Sequence, residues 1–470
     1  MVGPNYHPPQ TTMPDQFIEA LEPDAKLLTD EDLSAWWKQF DDPLLDEMVG
    51  DAIKSNFDVH IAMEKILAAR AQYKVESSYL FPELDVNATG TRARNSQNFF
   101  ANSSPAASFL PTFQNFFQIG FDAIWELDFF GKFRRAKRAS FCDIEASQED
   151  AQYVLITVLS EVVKHYAWIR ACQKKIDLTV EKIRIDETLL TLLSDLFSSG
   201  LSSQIDPTTL LATLESDRAS LPPLESSLKV KIYTLATLLG QQPETLAQRF
   251  IEKGEIPVST HKVPAGLPAD LLRRRPDIKQ AERQLAAATE RIGVAVADLF
   301  PHITLTGNTF AGGAFIGSAY GFESAQPKSL LQHASNFFSI GPNIRWDMLD
   351  FGKTRGNIAI QTSLQRQALL KYEKIVIDSL KDVEGALIVY FEEEKRKYLI
   401  EKEVEANQKI VSLKKALLQS GLANEETVLL AQKAWIESTI TLIDSTLSLT
   451  TDLISLYKAL GGNWACSYSP

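Results

Sequence analysis

The run Phe117-Gln118-Ile119-Gly120-Phe121-Asp122-Ala123-Ile124-Trp125, closed six residues later by Gly131-Lys132, is written twice in this chain. It returns as Phe338-Ser339-Ile340-Gly341-Pro342-Asn343-Ile344-Arg345-Trp346 through Gly352-Lys353, an offset of 221. Ser199-Gly200-Leu201 with Ser420-Gly421-Leu422, and Leu239-Gly240 with Leu460-Gly461, keep that offset. Asn56-Phe57-Asp58-Val59 against Arg275-Pro276-Asp277-Ile278, and Leu80-Phe81-Pro82 against Leu299-Phe300-Pro301, sit at 219. Landmarks held in register over both halves imply an internal tandem repeat of about 220 residues. A chain of 470 residues would ordinarily suggest two or three unrelated domains; here two copies of one unit fold together.

The repeated run alternates with the period of a strand. Phe117, Ile119, Phe121, Ala123 and Trp125 share one face, and Gln118, Gly120, Asp122, Ile124 and Glu126 the other. In the second copy Phe338, Ile340, Pro342, Ile344 and Trp346 oppose Ser339, Gly341, Asn343, Arg345 and Asp347. Strands are predicted at 84–92, 115–127, 303–310 and 336–347, joined by long connections at 93–114 and 311–335 rich in Ser, Asn, Gly and Ala. An aromatic-ended apolar face opposite a polar one suits a membrane β-barrel with a wet interior; a half-buried soluble sheet shows the same alternation. Four strands cannot close a barrel, and lipid tolerates no open sheet edge. In a bilayer the count therefore demands oligomers, eight strands as a dimer or twelve as a trimer.

Two rods flank these strands. Residues 132–199 contain neither Gly nor Pro, and 353–420 hold only Gly356 and Gly385. At 1.5 Å per residue each helix would span about 100 Å, far beyond an ordinary globular helix. Alternating steps of four and three from Leu155 through Leu159, Val162, Tyr166, Ile169, Gln173, Ile176, Val180, Ile183, Glu187, Leu190 and Ser194 to Phe197 give ten apolar positions of thirteen, a heptad seam. The same steps from Val376 to Leu418 give eight of thirteen. Each rod ends at a glycine suited to a helix C′ position, Gly200 or Gly421, and a helix returns over 203–240 or 424–460. Pro222-Pro223 is expected to kink or break the first return. Shorter helices are expected at 43–79 and 268–297.

Composition excludes several classes. The net charge is -12 with dispersed Lys and Arg, which disfavours a nucleic-acid surface. No apolar stretch reaches the length of a transmembrane helix or a signal peptide. Cys142, Cys172 and Cys466 form no CxxC and read as reduced, packed thiols; the six histidines show no ligand spacing. No catalytic motif is present, so neither an enzyme nor a metal or cofactor site is indicated.

Leu271-Leu272-Arg273-Arg274-Arg275-Pro276-Asp277-Ile278, then Ala281-Glu282-Arg283-Gln284-Leu285 and Ile292-Gly293, resembles the signature of TolC-like outer membrane factors, in the NodT/OprM-type lipoprotein branch. Val2-Gly3-Pro4-Asn5-Tyr6, Trp36-Trp37-Lys38-Gln39-Phe40 with Asp42-Pro43-Leu44, and Leu221-Pro222-Pro223-Leu224-Glu225 agree, in family order over essentially the whole chain. The resemblance implies an α+β membrane protein: a homotrimeric 12-stranded β-barrel, four strands per chain, in the bacterial outer membrane, continued by a 12-helix periplasmic α-barrel. It further implies a passive efflux duct working with a periplasmic adaptor (a membrane fusion protein) and an inner-membrane transporter of the resistance-nodulation-division type. Residues 1–42 would form an equatorial segment, 43–240 the first repeat, 241–267 an equatorial linker, 268–461 the second repeat and 462–470 a tail. In the branch, Val-Gly-Pro follows an acylated cysteine. None is present here, so a lipid anchor is expected on a Cys preceding Met1 in the natural precursor.

Site expectations follow from the same likeness. Lipid would face Phe117, Ile119, Phe121, Trp125, Phe338, Ile340, Ile344 and Trp346, and the lumen Gln118, Asp122, Glu126, Asn343, Arg345 and Asp347. The adaptor would dock on Ser199, Gly200, Leu201, Ser420, Gly421 and Leu422. Family members narrow the inner opening with acids past the second reversal. Here Thr427, Leu430 and Ala423 hold the usual acidic positions, leaving Glu425, Glu426 and Asp206 as gate candidates. Each also has an ordinary reading: Asp206 as an N-cap before Pro207, the glutamates as first-turn charges favourable to the helix dipole. Alternatives to the efflux duct are the outer-membrane part of an ATP-driven type I secretion system, a non-conducting coiled-coil scaffold, and a pore-forming toxin or adhesin.

Overall fold

The computed structural model describes residues 1–10, 35–94, 113–259, 274–306 and 320–462. Cys466, the tail, and much of the 11–42, 241–267 and long inter-strand segments lie outside them. Elements run α1 (Pro43–Ser55), α2 (Phe57–Ser78), β1 (Glu83–Arg94), β2 (Phe113–Glu126), α3 (Lys132–Ser198), α4 (Ile205–Leu238) and α5 (Pro243–Arg249). The second half gives α6 (Pro276–Ala297), β3 (His302–Thr306), β4 (Tyr320–Ser324), β5 (Asn336–Phe338), β6 (Gly341–Arg345), α7 (Lys353–Gln419) and α8 (Glu425–Ala459). Contacts divide the chain into two compact units, one of Met1–Pro9, Leu67–Ala146 and Ala281–Tyr372, the other of Gln10–Ile66, Ser147–Gln280 and Glu373–Pro470.

The first unit holds the sheet. β1 and β2 form a hairpin paired from Glu83↔Ile124 to Arg94↔Phe113. The other edge of β2 takes both β3, at Ile124↔Thr306, and β4, at Phe117↔Ser324. β6 pairs β3 and β5 pairs β4. Six segments thus occupy four ranks: β1, β2, β3 with β4, and β6 with β5. This corrects the four uninterrupted strands expected. The strand read over 336–347 breaks at Ser339-Ile340 and ends at Arg345. β4 lies in what alternation left as a connection, because Gly321 and Ser324 blur its pattern.

Two repeated bonds close the lower end of the sheet. The indole Nε1 of Trp125 donates to the Leu80 carbonyl at 3.1 Å, and that of Trp346 to the Leu299 carbonyl at 3.1 Å. Carboxylates then start the long helices. Asp128 accepts from the Arg134 N–H, and Asp350 from those of Gly352 and Thr354; the Thr354 side chain first, then these N–H groups, hold the Asp350 carboxyl down at about 2. The amino-terminal Val2-Gly3 segment is clamped by buried Arg135, whose guanidinium donates to the carbonyls of Val2 and Gly3, to Asn5 Oδ1 and to Glu290 at 2.8 Å.

The second unit carries the core. Trp36, Trp37 and Phe40, on a short 3-10 turn, pack with α1, α3, α4, α7 and α8. Trp36 stacks on Tyr457 with centroids 5.7 Å apart. Arg170 of α3 lies between the rings of Tyr166 and Phe250 and donates to the Glu252 carbonyl, fixing the segment after α5.

Helix 43–79 is not continuous: it turns at Asn56, whose backbone is extended (ψ 129°). Asn56 Oδ1 accepts from the Val59 N–H, capping α2, while Nδ2 donates to the Leu238 carbonyl at 2.7 Å. The repeat solves the same corner with charge. Arg275 precedes α6, donates to the Ala459 carbonyl at 3.0 Å and pairs with Asp277 at 2.7 Å. Leu238 and Ala459 are themselves 221 apart. The glycine two residues beyond each, Gly240 (φ +64°) or Gly461 (φ +85°), presses on the corner; a Cβ on Gly240 would stand 2.2 Å from the Ser55 carbonyl oxygen.

Two helical expectations are corrected. Of the kink or break expected at Pro222-Pro223 there is no break: α4 runs on through both prolines, where Arg218 and Ala219, whose carbonyls lose their donors, are exposed residues. The heptad seam of α3 holds only to Gln173; beyond it Val180 is exposed, and Thr179, Ile185, Asp186 and Leu189 are buried instead. A straight helix drifts roughly 20° per heptad from a 3.5-residue repeat, so the seam walks around it.

Gly421→Ala, in the left-handed region with open space around it, is expected to lose about 1–2 kcal/mol. Gly240→Ala adds the Ser55 clash and should lose about 1–3 kcal/mol more. Thermal unfolding of the two variants checks this; equal losses contradict the packed corner.

Candidate functional site

Three groups of residues matter: the faces of the sheet, the helical reversals and a charged tier above them. The strand registers place Phe117, Ile119, Phe121 and Trp125 on the same face as Leu84, Val86, Ile303, Leu305, Phe322, Phe338 and Ile344. The opposite face carries Gln118, Asp122, Glu126 and Asn343 with Asp85, Asn87, His302 and Arg345. Of the expected apolar set, Ile340 falls in the break between β5 and β6 and Trp346 follows β6, as does Asp347 of the polar set. Polar partners tie the second face across strands, Asn87 to Asp122 at 2.5 Å and His302 to Glu126 at 2.7 Å.

Among the described residues no core covers the apolar face. Leu84 is 65% exposed and Val86 66%, and nearly all of β1 is exposed on both faces. A soluble sheet of this size buries one face; here the apolar side is exposed at Leu84, Val86, Phe338 and Ile344 and half-buried at Phe117, Trp125, Ile303 and Leu305.

At the reversals the two copies are superposable in their bonds. Gly200 and Gly421 both adopt φ +73°. Leu201 N–H donates to the Leu196 carbonyl at 2.8 Å, and Leu422 N–H to that of Leu417 at 2.9 Å, the six-to-one bond of a Schellman ending. Leu201 and Leu422 project with 76% of their surface exposed. Ser199 and Ser420 hydroxyls turn back to carbonyls one turn earlier.

Asp206 lies at the first reversal and the other gate candidates at the second. Asn424, which sequence reading passed over, is the N-cap of α8, accepting from the Thr427 N–H at 3.1 Å. Its side-chain amide donates to Glu426 at 3.4 Å, and Thr427 returns its hydroxyl to the Asn424 carbonyl. Glu425 and Leu430 are exposed; Ala423 is half-buried. Asp206 is not the N-cap expected: it lies inside α4 and accepts from the Ser203 N–H at 3.3 Å, while the Ser203 hydroxyl accepts from the Ile205 N–H. The local S-x-x-D spacing carried that signal.

Above the tips, a charged tier joins α3, α4 and α8. Lys433 bonds both oxygens of Asp186, at 2.8 and 3.0 Å. Lys182 bridges Asp217 at 3.0 Å and Glu437 at 2.9 Å, and the Asp186 side chain is fully buried. Burial outweighs the Lys433 bonds and holds the Asp186 carboxyl above its usual range. For Asp217 burial raises and is outweighed by bonds from Asp186 and Lys182, so its carboxyl sits below that range. Sequence reading missed this tier because its members lie far apart along the chain. Among the described residues no group of His, Cys, Asp and Glu could hold a metal, and no helix is long and apolar enough to cross a membrane.

The sequence matches the family profile described as outer membrane efflux protein over residues 48–241 and again over 267–462. The chain belongs to that family. The two matched segments coincide with the two repeats. Nodulation protein T of Rhizobium leguminosarum bv. viciae is 26% identical over 465 residues, covering 99% of this chain and 91% of the relative. The pyoverdine export outer membrane protein OpmQ of Pseudomonas aeruginosa is 27% identical, covering 92% and 88%. The solved structure of the outer-membrane channel OprN superposes with a TM-score of 0.86 at 28% identity, over 98% of this chain and 99% of that one. This chain is an outer-membrane efflux channel, with the internal repeat and mixed helix-and-sheet fold of the TolC-like factors.

Lys433→Met should cost about 3–5 kcal/mol by stranding a buried carboxylate, and Asp186→Leu with Lys433→Met should recover most of it. A carboxyl raised by burial stabilises the fold below its unfolded pKa, near 4, and that stability is lost as pH rises. The single variant should therefore weaken between about pH 4 and neutrality, and melts recorded across that window check it.

Proposed function

We propose that three copies close a twelve-rank barrel whose lumen is the exit path of a tripartite efflux machine. The observation that carries this is the sheet whose outer edges, on β1 and on the β5–β6 rank, pair with no further strand among the described residues. In lipid each unpaired backbone group costs several kcal/mol, so these edges must meet those of other copies. Two copies would give eight ranks, an interior that side chains fill. Twelve is the smallest closure that leaves a lumen, and the polar face of Gln118, Asp122, Glu126, Asn343 and Arg345 would line it. The apolar face of Phe117, Ile119, Phe121, Trp125, Phe338 and Ile344 would meet lipid.

The helices support the same assembly. α7 exposes Ile360, Leu370, Ile377 and Leu399, each more than half accessible among the described residues. Copies of α3 and α7 packed around an axis would cover them. The reversals, with exposed Leu201 and Leu422, would dock a periplasmic adaptor, and an inner-membrane transporter would supply the energy. In the detergent-solubilised protein, sedimentation should give three copies and planar bilayers should show steady conductance. A monomer of unchanged mass with or without detergent would overturn this reading.

Glu425 and Glu426, on the first turn of α8, would ring the axis three times over and favour cations. Glu425→Ala with Glu426→Ala is expected to lower cation preference in reversal-potential measurements. An unchanged preference assigns them to helix capping alone.

A further inference from the structure

We infer that a groove in the sheet-bearing unit is a binding site for an anionic phospholipid. The groove encloses about 510 Å3. Arg134, Lys137, Arg138 and Arg283 line it against a single carboxylate, Glu290. Its apolar wall is Tyr73, Leu80, Phe141 and Ala286. In a chain of net charge -12 this is a local reversal of sign.

The cations come mostly from one stretch. Residues 132–138 read Lys-Phe-Arg-Arg-Ala-Lys-Arg, five cations in seven positions, over the first two turns of α3, where the helix dipole opposes positive charge. Something must compensate, and for three of them it is visible. Lys132 pairs with Asp298, Arg134 with Asp128 and Arg135 with Glu290. The neighbouring carboxylates are spent too: Glu145 and Glu282 on Arg283, Asp143 on Arg291. Lys137 and Arg138 form no ion pair among the described residues. Lys137 rests 5.3 Å over the Tyr73 ring, and Arg138 is exposed at the groove.

Location decides the ligand. Leu80, which lines the groove, is the residue whose carbonyl holds the indole of Trp125 at the end of β2. Trp and Tyr of this kind settle at the headgroup level of a bilayer. Two cations beside an apolar wall at that level suit a phosphodiester head with its acyl chains laid along Phe141 and Leu80. This rests on the membrane reading of the sheet.

The test is native mass spectrometry of the assembled protein in detergent, titrated with phosphatidylglycerol or with phosphatidylcholine of the same chains. Phosphatidylglycerol should bind at least about tenfold tighter. Lys137→Gln with Arg138→Gln should weaken it roughly thirtyfold, each cation counting about fivefold at a lipid surface. Lys402→Gln with Lys409→Gln, exposed lysines of α7, should leave it unchanged. Equal binding of the two lipids, or indifference to the double variant, overturns the site while the membrane reading stands. Full displacement by millimolar orthophosphate also overturns it, marking an anion site that needs no acyl chain. A protein that binds no lipid or detergent at all overturns both readings.

Discussion

Every backbone amide in a strand must find a partner, and in this chain the outermost ones cannot do so alone. Among the described residues the sheet is open at both margins, and much of its apolar side is exposed. No rearrangement within the chain cures that, because four ranks are too few to curl back on themselves. If three copies close the barrel as proposed, association is part of the fold rather than an addition to it. The long helices share the condition: α7 carries apolar side chains that stay exposed among the described residues.

The duplication shows which bonds the architecture needs and which chemistry it leaves open. Both copies fix an indole to a carbonyl at the helix-to-strand passage, end their rods in the same left-handed glycine, and turn a corner beside the end of the returning helix. At that corner one copy uses a neutral amide, Asn56, and the other a guanidinium with its own carboxylate, Arg275 with Asp277. Geometry was kept while charge was not. What the corner demands is a donor reaching the last carbonyl of the helix, from either side chain.

Much of this was legible in the residues. Period-two alternation over 117–125 and its echo gave the sheet and its two faces, and the absence of Gly and Pro gave rods whose observed bounds differ by a residue from those expected. The misreadings have physical causes. Asn56 lies mid-run in a helical pattern, and only its buried bonds to Leu238 and Val59 reveal a corner. Two prolines predict a break unless the orphaned carbonyls face water, which sequence does not tell. β4 was hidden because its pairing with β2, not its own alternation, makes it a strand. The tier of Lys433, Asp186, Lys182 and Asp217 could not be found from spacing, since its members meet only when three helices pack. The family signature placed the chain in its class but was silent on all of these.

A Cβ at Gly200 or Gly421 would meet open space, and each turn is closed by the backbone bond from the leucine that follows. Side chains on either side of each glycine are thus at liberty to vary without disturbing what lies above. A lineage can rewrite the exposed surface of its tips one residue at a time while keeping the scaffold beneath.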